Sequence, residues 1–258
     1  MQNQQIRITW YGTASVRIVA GDSQLLIDPF IPFPDSTVRI PQNAYVGCPD
    51  ILITHGHYDH IGSIREIAQT DTTVYCTEAP FRSLCRKGVN KSNLRLIDVG
   101  SAFTVGAFHV TAFQGSHIKL SVWDGLKAIF CKRVWKNRKG AVRKIMKLTS
   151  CREKKESLCY LIEGYGKRIL ILGSLALADN TAYPQDIDLA LFPYQGLDQL
   201  FGIAKHICQT IRPRAVLLTH FDDTFPPFSS VVDTSEFEEY LKNRVPVYKL
   251  AHGGTLEI

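Results

Sequence analysis

The sequence predicts an α/β (or α+β) fold in which two β-sheets pack face to face with helices outside, in one domain covering residues 1–258. Three observations predict it. Short apolar segments ending at Gly, Pro or His recur along the chain, as strands do. They come in two similar rounds, strands first and helical spacing after, which is the pattern of a layered architecture. Finally, 258 residues at 45% hydrophobic and 21% charged suffice for one large core.

The first round opens with "QIRITWYG", "ASVRIVA" and "SQLLIDPF", alternating strands broken at Gly12, Gly21 and Pro29. "ILIT", Ile51 to Thr54, is a short strand running into a histidine-rich loop, and "IGSIREIAQT" follows with helical spacing of Ile61, Ile64, Ile67 and Ala68. "TTVYCT" reads as a strand, "APFRSLCRKG" as a helix stopped by Gly88, and "NLRLIDVG" as a strand. "AFTVGAFHVTAFQGSH" reads as a hairpin turning near Gly106 and ending at His117. In the second round, "LCYLIEGYGKRILILGS" is a hairpin and "DIDLALFPY" a buried strand. "LDQLFGIAKHICQTI" is a helix, "RAVLLTH" a strand, "SEFEEYLKNR" a helix and "VPVYKLA" the last strand.

Seven cysteines, an odd number without a C-x-x-C pair, predict thiols rather than disulfides. No apolar run has the length of a membrane span, and "MQNQQIRITW" lacks a signal-peptide pattern, so a cytoplasmic protein is expected.

The chemistry concentrates in "THGHYDH", which places His55, His57, Asp59 and His60 within six consecutive positions. Buried without a partner, such groups would be costly; clustered His and Asp at this spacing signify a metal site. His55 and His57 can face one way as alternate extended residues, while Asp59 and His60 begin the next helix and reach a second point. His117 and His220 also follow apolar strands, and loops leaving one sheet edge are where scattered residues meet. The layout suits two metal ions.

"THGHYDH" resembles the H-x-H-x-D-H motif of the metallo-β-lactamase superfamily of metal-dependent hydrolases. "ITWYGTASVRI" and "LLIDPFI" are similar to its opening strands, "ILILGS" to its central Gly-Asp strand and "LLTHFDDTFPPF" to its late histidine segment. That segment and "DIDLALFPYQG" most resemble the branch containing ascorbate-6-phosphate lactonase. The resemblance implies a four-layer αβ/βα sandwich. It makes His55, His57 and His117 ligands of a first metal and Asp59, His60 and His220 ligands of a second. The chain departs from the pattern at Ser174, where many members place an aspartate bridging both ions, and at Thr13, where close relatives often carry histidine. One subclass similarly has serine at the bridging position and holds its second zinc with Asp, His and His.

Five imidazoles and one carboxylate form a nitrogen-rich set that suits zinc, one or two ions. The expected activity is hydrolysis of an ester, lactone or phosphoester by metal-held hydroxide, with Asp59 as the catalytic residue orienting it. A nuclease or phosphodiesterase of the same superfamily, or a non-catalytic metal-binding protein, are the alternatives. Asp28 is expected to accept from imidazole N–H groups behind the ligands, or simply to form the turn before Pro29. Asp179 reads as a solvated loop residue, His109 and His206 as packing residues, and His252 as a residue after the last strand that is not expected at the site; Tyr194 and Gln195 are candidate substrate contacts on a par with the other loop residues.

Net charge is +6, but Lys119 to Lys155 carries 13 Lys or Arg against Asp124 and Glu153, a net of +11; the remainder is −5. Its apolar residues, Trp123, Leu126, Ile129, Phe130, Val134, Ile145, Met146 and Leu148, suggest two amphipathic helices. A basic helical insertion at about 119–155 is therefore expected to act as a lid that attracts a small anionic substrate, or to contact an anionic membrane surface; nucleic acid ranks third.

Overall fold

A computed structural model of the chain describes residues 5–41, 43–117, 144–147, 150–151, 156–196, 199–226 and 228–258. The first sheet is built from β1 (Arg7–Gly12), β2 (Ser15–Ala20), β3 (Ser23–Ile27), β4 (Asp50–Leu52), β5 (Thr73–Cys76) and β6 (Leu94–Leu96). The second contains β7 (Ala102–Val105), β8 (Phe108–Gln114), β9 (Leu158–Gly164), β10 (Lys167–Ile171), β11 (Leu189–Pro193), β12 (Val216–Thr219) and β13 (Val247–Tyr248). β14 (Gly254–Glu257) returns to the first sheet, giving the orders β14-β1-β2-β3-β4-β5-β6 and β13-β12-β11-β10-β9-β8-β7. In each sheet an antiparallel meander passes into parallel strands, from β3 in the first and from β10 in the second. The helices among the described residues are α1 (Tyr58–Ile61), α2 (Ile64–Ile67), α3 (Glu78–Arg86), α4 (Leu200–Ile211) and α5 (Ser235–Leu241), with a further helical turn at 144–147.

Period-2 alternation divides the side chains between layers. In β3, Leu25 and Ile27 enter the central core with Trp10, Val110, Tyr160, Ile162 and Leu170 from both sheets. Leu26 points the other way, joining Ile51, Ile53, Val74 and Cys76 against Ile61, Ile64 and Leu84 of the helices. β11 is buried along its whole length, and Ala204, Ile207 and Ile211 of α4 with Phe237 of α5 cover it. The face-to-face sandwich with outer helices is thus the observed architecture.

Three local expectations are corrected. "VPVYKLA" is not the last strand: only Val247–Tyr248 pairs there, and Gly254–Glu257 pairs antiparallel with β1 from Arg7↔Glu257 to Trp10↔Gly254. "IGSIREIAQT" is not one helix, because the backbone breaks at Gly62–Ser63 between two single turns. Gly62 is required there, since a Cβ would lie 2.4 Å from Tyr58 O. The lid expected at 119–155 lies largely outside the described residues. Where it is described, Lys144 rather than Met146 is the buried residue, and Met146 is exposed, against the amphipathic reading of that turn. The Lys144 ammonium pairs with Asp35 at 2.5 Å and donates to Pro226 O, so this lysine anchors the turn to the 30s loop. Among the described residues, no helix is long and apolar enough to cross a membrane.

Candidate metal centre

The ligand-bearing loop begins where β4 delivers Thr54 to the sheet edge, and Asp28 holds it there. Asp28 follows β3 with a left-handed φ of 43° and donates its own N–H to Leu52 O at 3.0 Å. Its Oδ1 accepts from Thr54 N–H at 2.8 Å and its Oδ2 from the Thr54 hydroxyl at 2.6 Å. The same Oδ2 lies 2.7 Å from His60 Nδ1, so the ring presents Nε2 outward. The expected role of Asp28 behind an imidazole is the one this geometry favours, over a simple turn before Pro29.

Beyond Thr54 the chain is extended to His57 and then turns into α1. His55, His57 and His117 converge, each offering one ligand-type atom within 4.8 Å of the other two. His55 Nε2 faces His57 Nδ1 at 3.2 Å, and Thr54 Oγ1 lies 3.0 Å from His55 Nδ1. His117 arrives three residues after β8 ends, its ring centroid 4.5 Å from that of His57. Burial, followed by the surrounding imidazoles of His60, His57, His117 and His220, pushes the His55 pKa well below its ordinary value. A neutral imidazole is the form a metal requires.

Asp59, His60 and His220 form a second group with the same mutual spacing, all buried. Asp59 Oδ2 lies 2.9 Å from His220 Nε2 and 3.5 Å from His60 Nε2. Burial acts against the Asp59 carboxylate, but the charges of His60 and His220 and the hydrogen bond from His220 outweigh it and hold the group well below its usual range. Burial likewise opposes charge on His220, and the bond and charge of Asp59 reverse the effect and raise its pKa. The groups adjoin, with ring centroids of His55 and His60 only 3.8 Å apart.

His220 comes from the end of β12 in a left-handed conformation, φ 58°. Its N–H donates to Thr13 O at 2.8 Å, and the Thr13 N–H in turn donates to Asp222, 2.9 Å from Oδ2. Asp222 Oδ2 also lies 3.1 Å from His252 Nε2. The preceding Gly12, at φ 109°, is needed for this close approach: a Cβ there would lie 3.0 Å from Asp222 Oδ2 and 2.5 Å from Val38. Asp222 and Thr54, which hold the backbone and side chains around the donor groups, are positions that the motif does not single out. Asp222 had one usable signal, its place two residues after a ligand histidine at a strand end.

The donor set fits metal ions. Five imidazoles and a carboxylate, mostly buried, crowd ring nitrogens against one another, with His55 Nε2 only 3.2 Å from His57 Nδ1. His220 Nδ1 is shielded from solvent with no hydrogen-bond partner among the described residues. A cation at each group removes the unfavourable apposition of lone pairs and suits the nitrogen-rich donors.

Of the other expected residues, Ser174 is buried just beyond β10. Its neighbour Gly173 lies so close to the ligand loop that a Cβ would come within 2.9 Å of Thr54 Cβ. Asp179 is exposed, as a solvated loop residue should be. Contrary to expectation, His252 lies beside the turn that carries His220, half-buried against Trp10 and Asp222. His109 and His206 are exposed rather than packed, because β8 and α4 turn those positions outward. Tyr194 is no substrate contact: it is buried and stacks on Phe237 at 5.5 Å. A cleft of about 830 Å³ opens beside His117, between the 175–183 loop and α4. Leu177, Ile203 and Ile207 give it an apolar wall, Asp179 and His206 a polar one, and none of the described residues that line it is Lys or Arg.

Comparison with known proteins bears on the family and the fold. A family profile described as a beta-lactamase superfamily domain matches residues 24–221. A metal-dependent hydrolase of Pyrobaculum islandicum is 24% identical over 98% of this chain and 100% of its own. One of Mesorhizobium japonicum is 29% identical over 48% of this chain, a match that spans about half, 54%, of that relative. A solved metallo hydrolase of Ignicoccus hospitalis superposes with a TM-score of 0.64 at 17% identity, covering 98% of each chain, and so shares the fold.

Proposed function

Because the chain belongs to the metallo-β-lactamase superfamily of metal-dependent hydrolases, we propose that it is a zinc-dependent hydrolase of esters, lactones or phosphoesters carrying an anionic group. The observation that carries this reading is the pair of three-residue donor groups, His55, His57, His117 and Asp59, His60, His220, at one sheet edge. Imidazole-rich donors favour zinc over magnesium or manganese, and the three-histidine group is the tighter of the two. Zinc, when bound, supplies a nucleophile from water near neutral pH and neutralises charge developing on oxygen.

The chain's own residues do the positioning. Asp59 engages His220 and His60 through Oδ2, and we assign its other oxygen to orienting the attacking water. Asp28 fixes the His60 tautomer with Nδ1 protonated, leaving Nε2 as the ligand atom. Thr13 and Asp222 hold the backbone turn that aims His220. The cleft beside His117 takes the less polar part of the substrate, while the +11 segment at 119–155 draws in its anionic part, a small molecule or a lipid headgroup. The unpaired state of the six described cysteines suits a reducing compartment, the cytosol.

The test is a panel of lactones, esters and phosphodiesters offered to zinc-loaded protein. Lactones belong in it because the late segments resemble the lactonase branch. Turnover of carbonyl substrates that is lost in the Asp59→Asn variant supports the reading. Turnover confined to phosphodiesters favours the nuclease alternative, and zinc binding without any turnover favours a non-catalytic metal protein.

A further inference from the structure

Apart from the histidine groups, a smaller cavity of about 230 Å³ lies between the turn into α3, the β6–β7 connection, the end of β8 and the start of β9. Thr77, Glu78, Asp98, Gln114, Glu156 and Ser157 supply its polar walls, and none of the described residues that line it is Lys, Arg or His. Three carboxylates thus face a space with no cationic side chain among the described residues that line it; the partner of Glu78 is Arg82, an exposed residue one turn along α3.

The hydroxyls are the second observation. Thr77 occupies the N-cap position of α3 but makes no capping bond. Its usual task is done by Glu156, whose Oε2 accepts from Ala79 N–H at 2.8 Å. Thr77 is 6% exposed and Ser157 1%, and both hydroxyl oxygens are shielded from solvent with no hydrogen-bond partner among the described residues. Both line the cavity. A threonine relieved of its capping role and still without a partner among the described residues, beside a buried serine in the same condition, points to an occupant in the cavity.

We infer that this cavity binds a hard divalent cation, calcium or magnesium, through the Glu78, Asp98 and Glu156 carboxylates and the Thr77 and Ser157 hydroxyls. Every donor is oxygen, which selects calcium or magnesium and discriminates against the zinc preferred by the histidine groups. The carboxylates stand around the cavity and do not converge within 4.8 Å as the histidine groups do, so not all of them touch the ion directly, and some reach it through the several waters it retains. Glu156 follows the basic segment directly, so the ion ties the C-terminal root of that segment to α3 and to the β6–β7 connection.

The experiment uses the full-length, zinc-loaded protein, titrated calorimetrically with calcium chloride and, separately, magnesium chloride, with the thermal midpoint followed in parallel. One additional ion per chain should bind and raise the midpoint. Asp98→Asn, at an exposed position without a capping role, should weaken binding about tenfold or more while leaving zinc content unchanged, the effect expected of losing one charged oxygen donor. Glu156→Gln should do the same, with some loss of stability from the weakened helix cap. The proposal is overturned if neither ion binds the wild type, which leaves the cavity to water alone, or if Asp98→Asn and Glu156→Gln bind as the wild type does. It is equally overturned if the response disappears in His57→Ala but persists in Asp98→Asn, which would put the ion at the histidines.

Discussion

Replacing Asp28 by asparagine should disable one zinc position and spare the other. In the wild type, Asp28 Oδ1 accepts from Thr54 N–H at 2.8 Å, while Oδ2 receives the Thr54 hydroxyl at 2.6 Å and His60 Nδ1 at 2.7 Å. Asparagine keeps its carbonyl on Thr54 N–H, so an NH2 group replaces Oδ2 and faces His60 Nδ1. Two donors cannot face each other, and the ring responds by moving its proton to Nε2. The Thr54 hydroxyl, 3.3 Å from His60 Nδ1, can then donate to that nitrogen. Nε2 is the atom directed at Asp59 and His220, and once protonated it cannot ligate. Loss of such a supporting partner typically costs 10- to 100-fold in metal affinity, or about 1.4–2.7 kcal/mol. Competition with a graded series of chelators should show the weaker zinc released earlier in Asp28→Asn and the tighter one unmoved. Equal release of both ions in variant and wild type would refute the tautomer argument. Weakening of the tighter ion alone would show that the groups are assigned the wrong way round.

Ser174→Asp should tighten the second zinc, because Ser174 is buried beside the ligand loop and a carboxylate there adds an anionic oxygen between two cations; unchanged lability to chelator would remove Ser174 from the site. Burial pushes the thiols of Cys48 and Cys208 up to about 11 and those of Cys76 and Cys159 to about 12. The folded chain therefore keeps protons that the unfolded chain releases from about pH 8.5, so stability is full below that pH and falls as pH rises toward the folded values. Urea midpoints measured from pH 8 to 10.5 should decline, and native thiols should resist alkylation at pH 8; a flat profile contradicts the burial. Charge reversal at Arg133, Lys136 and Arg138 should raise KM for an anionic substrate at low salt, with metal content unchanged. Kinetics insensitive to both salt and reversal would reduce the segment to a structural insertion.

What was legible in the sequence was local. The motif from His55 to His60 declares its chemistry by spacing alone, and His117 and His220 are readable because each ends an apolar run. The alternating strands β1 to β3 and the two hairpins β7–β8 and β9–β10 stand where the pattern puts them. The illegible features depend on contacts distant in the chain. Asp222 looks like a loop acid until the fold brings Thr13, 209 positions away, onto its carboxylate. Lys144 reads as one more solvated lysine, and only its pairing with Asp35 makes it a buried anchor. β14 is short and opens on the Gly253–Gly254 pair, so it reads as a tail until β1 offers an open edge. Tyr194 sits at a strand end like the ligands, but Phe237 of α5 turns it into core.

The central claim is that the two donor groups hold metal, and zinc titration of chelator-stripped protein tests it most directly. The wild type should bind one to two zinc ions per chain, the tighter at His55, His57 and His117. His57→Ala should stay folded and lose that tighter ion, since two imidazoles do not make a zinc site. Full zinc occupancy at unchanged affinity in His57→Ala would contradict the account.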